Sequence, residues 1–214
     1  MNTRGTQRER TLDRSVYYND RYFAMPQLLS FAHQIHEINK LKPSNILEIG
    51  PGNGFTSSFL KRAGYEITTV DINPNLEPDI CAPLSELAGH LRGRRFDLVV
   101  CCEVLEHMPF EEFKANISYL RNAGERLFLT LPNYARSVGF GGIAKIPKLG
   151  AKLFRLVLDI NTGKRLEGGP HFWEVGSRGD CSKKAIQREL LAVYREVDAW
   201  RFALNPYHVA FYAR

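Results

Sequence analysis

Residues 45–54 of this chain are Asn-Ile-Leu-Glu-Ile-Gly-Pro-Gly-Asn-Gly, a short apolar run followed by glycines at every second position. The run predicts a buried strand, and glycines at its end let the backbone turn sharply and let a ligand approach the main chain. Beyond the turn, Phe55 and Phe59 stand one helical turn apart, and Gly64 lies where a helix would end. We therefore predict a strand, a glycine turn and a helix in succession.

The spacing of the glycines narrows the choice of ligand. Gly50 and Gly52 match the dinucleotide-binding pattern Gly-x-Gly-x-x-Gly, but Phe55 replaces its third glycine. A phosphate-binding loop is excluded because the pair Gly163-Lys164 is followed by Arg165 instead of Ser or Thr. A glycine turn also occurs for packing alone, so this turn by itself leaves ligand binding open.

Length and composition indicate one ordinary globular domain. With 214 residues, of which 44% are hydrophobic and 24% charged, the chain can bury one sizeable core. No apolar run reaches the roughly 20 residues that span a bilayer, and the first 14 residues are polar and Arg-rich, so we expect a cytoplasmic protein. The four cysteines include no Cys-x-x-Cys pair, and they predict neither a disulfide framework nor a zinc site.

Apolar patterns alternate between strand and helix along most of the chain. This alternation predicts a parallel sheet with crossover helices. A first helix is predicted over residues 27–41, ahead of the sheet. Strands are then predicted at 46–49, 67–71, 96–102 and 126–131, with helices at 55–63, 83–91 and 110–121.

The last third of the chain follows a different pattern. Pro147 predicts the start of a helix that reaches about Ile160, and a further helix is predicted over residues 182–193. Two strands are predicted near 196–202 and 207–214. Because the turn-like link Leu204-Asn205-Pro206 between them is short, we expect an antiparallel pair at the sheet edge.

An acidic residue follows the second strand at a distance that suits ribose binding. Asp71 lies 21 residues after Gly50, at the end of the neighbouring strand, where its two oxygens can accept both ribose hydroxyls. The alternative is an aspartate that caps the next loop. Together with the glycine turn, ribose binding is favoured.

The fourth strand region completes a set of three ordered motifs. Residues 96–100 are Phe-Asp-Leu-Val-Val, and residues 103–107 are Glu-Val-Leu-Glu-His. With the glycine turn and Asp71, these motifs resemble the class I S-adenosylmethionine-dependent methyltransferases over residues 44–132. The resemblance implies a doubly wound, mostly parallel seven-stranded sheet with a reversed last strand, a Rossmann-like α/β fold, and S-adenosylmethionine as the cofactor.

The resemblance also implies which residues contact the cofactor. The backbone from Glu48 to Gly54 would line its methionine part, and Cys102 and Glu103 would approach that part from the fourth strand. Asp71 would hold the ribose. Ile72 would lie against the adenine, with residues 79–81 near the adenine edge. Tyr18 and Tyr22 are candidates for a lid, with aromatic packing as the alternative. The predicted cofactor-binding residues are Tyr18, Glu48, Ile49, Gly50, Pro51, Gly52, Asn53, Gly54, Asp71, Ile72, Asp79, Ile80, Cys102 and Glu103.

Two histidines are candidates for a general base. His171 lies among aromatic residues after a glycine-proline turn, and related methyltransferases often carry a histidine in this loop. His107 follows the fourth strand. A structural role is the alternative for each. His33 and His36 stand one turn apart on a helix without a further ligand, so we predict no metal site.

The net charge of +6 is concentrated in one segment. Residues 133–165 contain seven basic residues and one acidic residue, and the other residues sum to zero. On a helix, Lys145, Lys148, Lys152 and Arg155 would form a basic stripe beside an apolar one. This element either covers the substrate with a solvated cationic back or binds an anionic membrane or a phosphorylated substrate through residues 145–165. Nucleic acid is a further alternative.

We expect methyl transfer from S-adenosylmethionine to oxygen or nitrogen of a small-molecule acceptor. Residues 1–43 are predicted to form an amino-terminal lid and helix, and residues 44–214 a single methyltransferase domain with a basic insertion at about 133–175. The alternatives are an RNA methyltransferase and a non-catalytic S-adenosylmethionine-binding regulator or partner subunit. The sequence predicts no oligomeric state.

Overall fold

The computed structural model describes residues 4–147, 150–160 and 170–214. Three helices precede the sheet: α1 (Arg4–Arg10), α2 (Asp20–Phe23) and α3 (Met25–Leu41). The sheet region then contains β1 (Asn45–Ile49), α4 (Phe55–Arg62), β2 (Glu66–Asp71), β3 (Ile80–Cys81), α5 (Leu87–Leu91), β4 (Phe96–Cys102), α6 (Phe113–Ala123) and β5 (Gly124–Pro132). The last third contains β6 (Arg136–Ile146), β7 (Gly150–Ile160), α7 (Lys183–Leu191), β8 (Val197–Phe202) and β9 (Asn205–Ala213).

Seven of these strands form one sheet in the order β3-β2-β1-β4-β5-β9-β8. The first five are parallel, whereas β9 runs antiparallel to both β5 and β8. The predicted α/β fold with a reversed last strand is therefore confirmed, as is the antiparallel pair after α7. The chain changes direction across the sheet between β1 and β4, and ligands of such sheets bind beyond the carboxyl ends of the strands at that point.

Helices cover both faces of the sheet, because the buried strands are apolar on both sides. Leu47 and Ile49 of β1 point into a core that includes residues of α5, α6 and α7. Ile46 points the other way, into a core shared with Ile38 of α3 and Leu60 of α4. Burial of each such side chain contributes roughly 1.5–3 kcal/mol to folding. The cores fix the strands, and the strands in turn fix the loops at their carboxyl ends.

The predicted helix over residues 147–160 is wrong, because this segment forms half of a β-hairpin. β6 pairs with β7 in antiparallel register, from Arg136 opposite Ile160 to Ile146 opposite Gly150, and Pro147 lies in the connecting turn. The apolar residues of this segment fit a helical period and also a strand period. As a strand requires, every second position is apolar at Phe154, Leu156, Leu158 and Ile160. The predicted basic stripe therefore does not form. Its Lys148, and also Lys164 and Arg165, lie outside the described residues.

The base of the hairpin is held against the sheet by a close backbone contact and a polar cluster. A Cβ on Gly139 would lie 1.7 Å from the carbonyl oxygen of Ala203, so only glycine fits there. Arg201 of β8 donates hydrogen bonds to Asp159 (3.1 Å) and to Ser137 (2.7 Å). These contacts connect the hairpin to the antiparallel edge of the sheet. No described helix is long and apolar enough to cross a membrane.

Candidate functional site

The glycine turn after β1 has a backbone conformation that residues other than glycine adopt only with strain. Gly50, Gly52 and Gly54 have φ angles of +67°, +56° and +70°. The amide of Gly50 donates a hydrogen bond to the carbonyl of Val70 in β2 (2.8 Å). A Cβ on Gly50 would lie 2.4 Å from Cγ2 of Val104, in the loop after β4. The turn is thus wedged between the ends of β2 and β4.

Glu48 and Ile49 lead into this turn with different side-chain environments. The side chain of Ile49 lies in the core, so only its main chain can line a ligand. Glu48 is buried, and burial raises the pKa of its carboxyl to about 7, against a hydrogen bond from Ser57 and the charge of Lys61. Oε2 of Glu48 has no hydrogen-bond partner among the described residues. A ligand amine or hydroxyl at this position would satisfy it.

Asp71 ends β2 beside the glycine turn. The register pairs Ile49 with Val70, so the turn and Asp71 follow neighbouring positions of adjacent strands. Oδ1 of Asp71 accepts a hydrogen bond from the amide of Asn73 (2.8 Å), and burial raises the pKa of the carboxyl. One oxygen is thus fixed by the loop, as in the capping alternative, and this orients the carboxylate. Ile72 follows directly in the same loop.

The other residues predicted for the adenine side lie at the next strand. Ile80 opens β3 and pairs with Val70. The carboxylate of Asp79 accepts hydrogen bonds from the amide (2.8 Å) and hydroxyl (2.9 Å) of Thr69, and Lys61 lies 3.3 Å away. These bonds outweigh burial and lower the pKa of Asp79. Asp79 is thus anchored to β2 and α4, and its contact with adenine stays a prediction.

The amino-terminal segment crosses the carboxyl edge of the sheet. The hydroxyl of Tyr18 donates a hydrogen bond to the carbonyl of Asn53 in the glycine turn (2.8 Å). The carbonyl of Leu12 accepts one from the Asn73 side chain (2.9 Å), two residues after Asp71. The segment therefore contacts both loops that are predicted to hold the cofactor. Tyr22 packs against Tyr17 with ring centroids 5.7 Å apart, as in the packing alternative.

Cys102 and Glu103 stand at the end of β4. Cys102 is partly buried, and burial raises the pKa of its thiol. Glu103 has a φ of +59°, and its carboxylate accepts a hydrogen bond from Ser30 (3.1 Å) and lies 3.2 Å from Nε2 of His208. Burial acts to raise the pKa of Glu103, but His208 and Ser30 bring it below the ordinary value. Helix α3, β4 and β9 thus meet at this carboxylate.

Both candidate bases lie beside this end of β4. Nδ1 of His171 lies 2.9 Å from Oε1 of Glu174, which also accepts a hydrogen bond from Tyr207 (3.0 Å). The ring of His107 meets that of His171 edge to face, with centroids 5.1 Å apart. Burial, and next the neighbouring His171, lower the pKa of His107 to about 4. His107 is therefore a neutral imidazole at pH 7.

Sequence reasoning missed Glu106, whose side chain is fully buried next to these histidines. Burial, and then the charges of Glu103, Glu174 and Glu9, raise the pKa of its carboxyl far above the ordinary value. The amide of Phe172 donates a hydrogen bond to the Glu106 carbonyl (2.8 Å), which holds the His171 loop against the end of β4. The spacing Glu103-x-x-Glu106-His107 was the available signal. The sequence contains no comparable signal for Glu9, Glu174 and His208, because their positions in the site depend on tertiary contacts.

The structure brings the glycine turn, Asp71 and Glu103 to one edge of three adjacent strands, which is the arrangement of the class I methyltransferase fold. A family model described as a methyltransferase domain matches residues 19–155, well over half of the chain, and the chain belongs to that family.

Solved structures show the same fold. A structure described as an S-adenosylmethionine-dependent methyltransferase from Archaeoglobus fulgidus superposes with a TM-score of 0.64 at 15% identity, covering 94% of this chain and 99% of that one. The 1,6-didemethyltoxoflavin-N1-methyltransferase of Burkholderia thailandensis, solved with bound 1,6-didemethyltoxoflavin and S-adenosylhomocysteine, gives a TM-score of 0.54 at 16% identity over 86% of this chain and 76% of that one.

Relatives by sequence are ubiquinone biosynthesis O-methyltransferases. The mitochondrial one of Schizosaccharomyces pombe is 34% identical over 86 residues, covering 34% of this chain and 31% of the relative. That of Ralstonia nicotianae is 25% identical over 129 residues, covering 48% of this chain and 54% of the relative. The matched part of the chain thus spans about a third to about half of the length of these curated relatives.

Proposed function

We propose that this protein transfers a methyl group from S-adenosylmethionine to an oxygen or nitrogen atom of a small-molecule acceptor. One observation carries the proposal: the glycine turn, Asp71 and Glu103 follow the carboxyl ends of three adjacent strands, at the point where the order of the strands along the chain reverses. Membership of a methyltransferase family and the names of the relatives support it. Those relatives are O-methyltransferases, which favours oxygen as the acceptor atom.

The chain's part in this reaction is mainly positioning. The sulfonium of the cofactor already makes its methyl group electrophilic, so in-line placement of the acceptor supplies much of the rate, with effective molarities of about 10⁵ M or more in oriented systems. We assign the methionine part to the main chain of residues 48–54 with Cys102 and Glu103, and the ribose to Asp71. The loop of Ile72, with Asp79 and Ile80, is assigned to the adenine, and Tyr18 to the lid.

An oxygen acceptor also has to lose a proton, and His171 is the first candidate to take it. Its contact with Glu174 orients the ring and stabilises the imidazolium that forms, as a carboxylate does behind other histidine bases. His107 is the second candidate. Its pKa near 4 makes it a weak base, so we place it behind His171.

Thermal unfolding with S-adenosylhomocysteine tests the cofactor assignment. A saturating ligand that binds only the folded chain raises the melting temperature, whereas NADH is expected to leave it unchanged. Asp71→Ala should abolish the rise. Asp198→Ala, an exposed aspartate on β8, is the matched control and should keep it. If S-adenosylhomocysteine does not raise the melting temperature of the wild-type chain, the proposal is wrong.

Turnover tests the assignment of His171. Formation of S-adenosylhomocysteine with a panel of hydroxylated aromatic acceptors should fall about 10²-fold or more in His171→Ala, with the thermal response nearly intact. Unchanged turnover in His171→Ala would show that His171 is not the general base. Wild-type binding without turnover on any acceptor would favour the non-catalytic alternative, and a steep salt dependence of RNA binding would favour the RNA alternative.

We further propose that the hairpin rests on a lipid surface that carries or adjoins the acceptor. One hairpin face presents six apolar side chains, each between 38% and 60% exposed: Val138, Phe140, Phe154, Leu156, Leu158 and Ile160. Exposed apolar area of this extent is costly in water and marks an interaction surface. The sequence adds the basic residues of the same segment, which favours an anionic membrane over a neutral one.

Sedimentation with lipid vesicles tests this second proposal. The wild-type chain should sediment with vesicles of phosphatidylglycerol and phosphatidylcholine, and less with phosphatidylcholine alone. The double substitution Phe154→Ser with Leu156→Ser should release it, whereas Leu191→Ser, an equally exposed leucine on α7, should not. Absence of vesicle binding, with inhibition of turnover by inorganic phosphate, would favour the phosphorylated-substrate alternative.

The cytoplasmic location and the domain boundary at residue 43 stay predictions.

A further inference from the structure

Glu106 presents an unusual electrostatic problem at the end of β4. Its side chain is fully buried, and neither carboxylate oxygen has a hydrogen-bond partner in another described residue; only its own backbone amide acts on it as a donor within the described chain. A buried carboxylate without a partner is expensive, because burial removes its hydration without replacing it. Three further carboxylates act on it electrostatically, those of Glu103, Glu174 and Glu9.

The other three carboxylates have partners of their own. Glu103 is held by Ser30 and His208, Glu174 by His171 and Tyr207, and Glu9 by the hydroxyl of Tyr17. Glu106 is therefore the member of this group to which no other described residue donates a hydrogen bond. Either a proton or a cation has to neutralise it.

Two histidines complete a metal-like donor set around Glu106. One ligand atom from each of Glu106, His107 and His171 lies within 4.8 Å of the others. Ligand bonds of about 2.0–2.2 Å to zinc place tetrahedral ligands roughly 3.3 Å apart, so small side-chain movements would close the set on an ion. One carboxylate and two imidazoles are the protein ligands of an open, catalytic type of zinc site.

The surrounding contacts leave the required lone pairs free. Glu174 takes the Nδ1 side of His171, which leaves Nε2 for a metal, in the carboxylate–histidine–metal arrangement of many sites. The Pro170 carbonyl accepts a hydrogen bond from the His107 ring, and the buried Nδ1 of that ring has no hydrogen bond in the described chain. Oε1 of Glu9 lies 3.7 Å from this nitrogen.

We propose that Glu106, His107 and His171 bind one divalent ion of the zinc class, with a fourth coordination position open to an oxygen ligand. This replaces the prediction of no metal site, which considered the four cysteines and the pair His33 and His36. The sequence conceals the set, because His171 lies 64 residues after His107 and reaches it through the contact between Phe172 and Glu106.

A consequence for the reaction rests on the proposed methyl transfer. An acceptor hydroxyl in the open position would be acidified, as zinc-bound water is, and would release its proton to solvent. Its oxygen would then form the bond to the methyl carbon while the carbon–sulfur bond breaks and its electron pair stays on sulfur. His171 would then be a ligand and not the base.

Metal content of the full chain tests the site in the absence of cofactor and acceptor, so the outcome is independent of methyl transfer. The chain is stripped with a chelator, dialysed against one equivalent of Zn²⁺ or of Mg²⁺, and analysed by elemental mass spectrometry, with Co²⁺ absorption as a second readout. We expect one zinc per chain, a tetrahedral cobalt spectrum and no retained magnesium.

Variants locate the ion. Glu106→Gln and His171→Ala should lower zinc affinity at least ~100-fold, and Glu174→Gln, which changes the partner that orients His171, about 10–100-fold. His90→Ala, an exposed histidine on α5, is the control and should retain one zinc. Circular dichroism confirms folding of each variant. A wild-type chain without zinc, or a folded Glu106→Gln chain with full zinc, would overturn the proposal.

Discussion

Gly50 contributes to the site because it has no Cβ atom. Its φ of +67° favours glycine, and the missing Cβ leaves room for Val104 at a distance of 2.4 Å from where that atom would be. The sequence revealed the glycine but not the neighbour. The close approach depends on how the loop after β4 returns to β1, which is a tertiary contact.

The substitution Gly50→Ala should therefore distort the turn rather than merely strain it. We expect the thermal response to S-adenosylhomocysteine to disappear and unfolding to become easier by about 2 kcal/mol or more. Adding Val104→Ala should recover part of both, because it removes the Cγ2 atom. Gly64→Ala is a control with a positive φ of +94° and no atom within 4 Å of its Cβ. An identical loss in Gly50→Ala and Gly64→Ala would show that the clash is irrelevant.

Glu48 predicts a pH dependence of stability in the ligand-free chain. Its folded pKa of about 7 lies above the ordinary 4.5, so the unfolded chain releases this proton first as the pH rises. Stability is therefore lost between about pH 4.5 and 7 and constant above. Glu48→Gln should remove this loss, and its advantage in unfolding free energy over the wild type should grow by roughly 2–3 kcal/mol from pH 5 to 8.

Urea unfolding at both pH values measures this effect. Glu125→Gln, at an exposed position of β5, is the matched control and should follow the wild type. Parallel curves for the wild type and Glu48→Gln would contradict the raised pKa.

The hairpin is the element that sequence reasoning placed in the wrong class. Its apolar residues satisfy both a helical and a strand period, and the choice is made by packing of its base on the sheet edge. Local pattern alone could not reveal that the Ala203 carbonyl lies directly over Gly139. By contrast, β1, β2, β4 and β5 were predictable, because each is an unbroken apolar run between turn signals.

Packing of the hairpin against the sheet should depend on Gly139. A Cβ there would lie 1.7 Å from the rigid Ala203 carbonyl, so Gly139→Ala should lift the hairpin from the sheet. Limited proteolysis is expected to cut within residues 136–160 several-fold faster than in the wild type. Gly89→Ala, where a Cβ meets no atom within 4 Å, should leave the rate unchanged. Equal rates in both variants would show that this contact does not seat the hairpin.

For the molecule as a whole, the sequence predicted the sheet and the cofactor edge better than the acceptor side. The glycine turn and Asp71 lie close together in the chain and follow from the strand–turn–helix pattern. The acceptor side combines residues from distant segments, such as Glu9, Glu106 and His171, and their joint burial arises only when the amino-terminal segment and the loop after the hairpin meet at β4. No local pattern encodes that meeting.

The central claim is that the edge formed by the glycine turn and Asp71 binds S-adenosylmethionine. Isothermal titration of the full chain with S-adenosylhomocysteine measures this directly, without an acceptor. We predict one binding site per chain, competition by S-adenosylmethionine, and loss of binding in Asp71→Ala but not in Asp198→Ala. Absence of binding to the folded wild-type chain, or binding that Asp71→Ala leaves unchanged, would contradict the account.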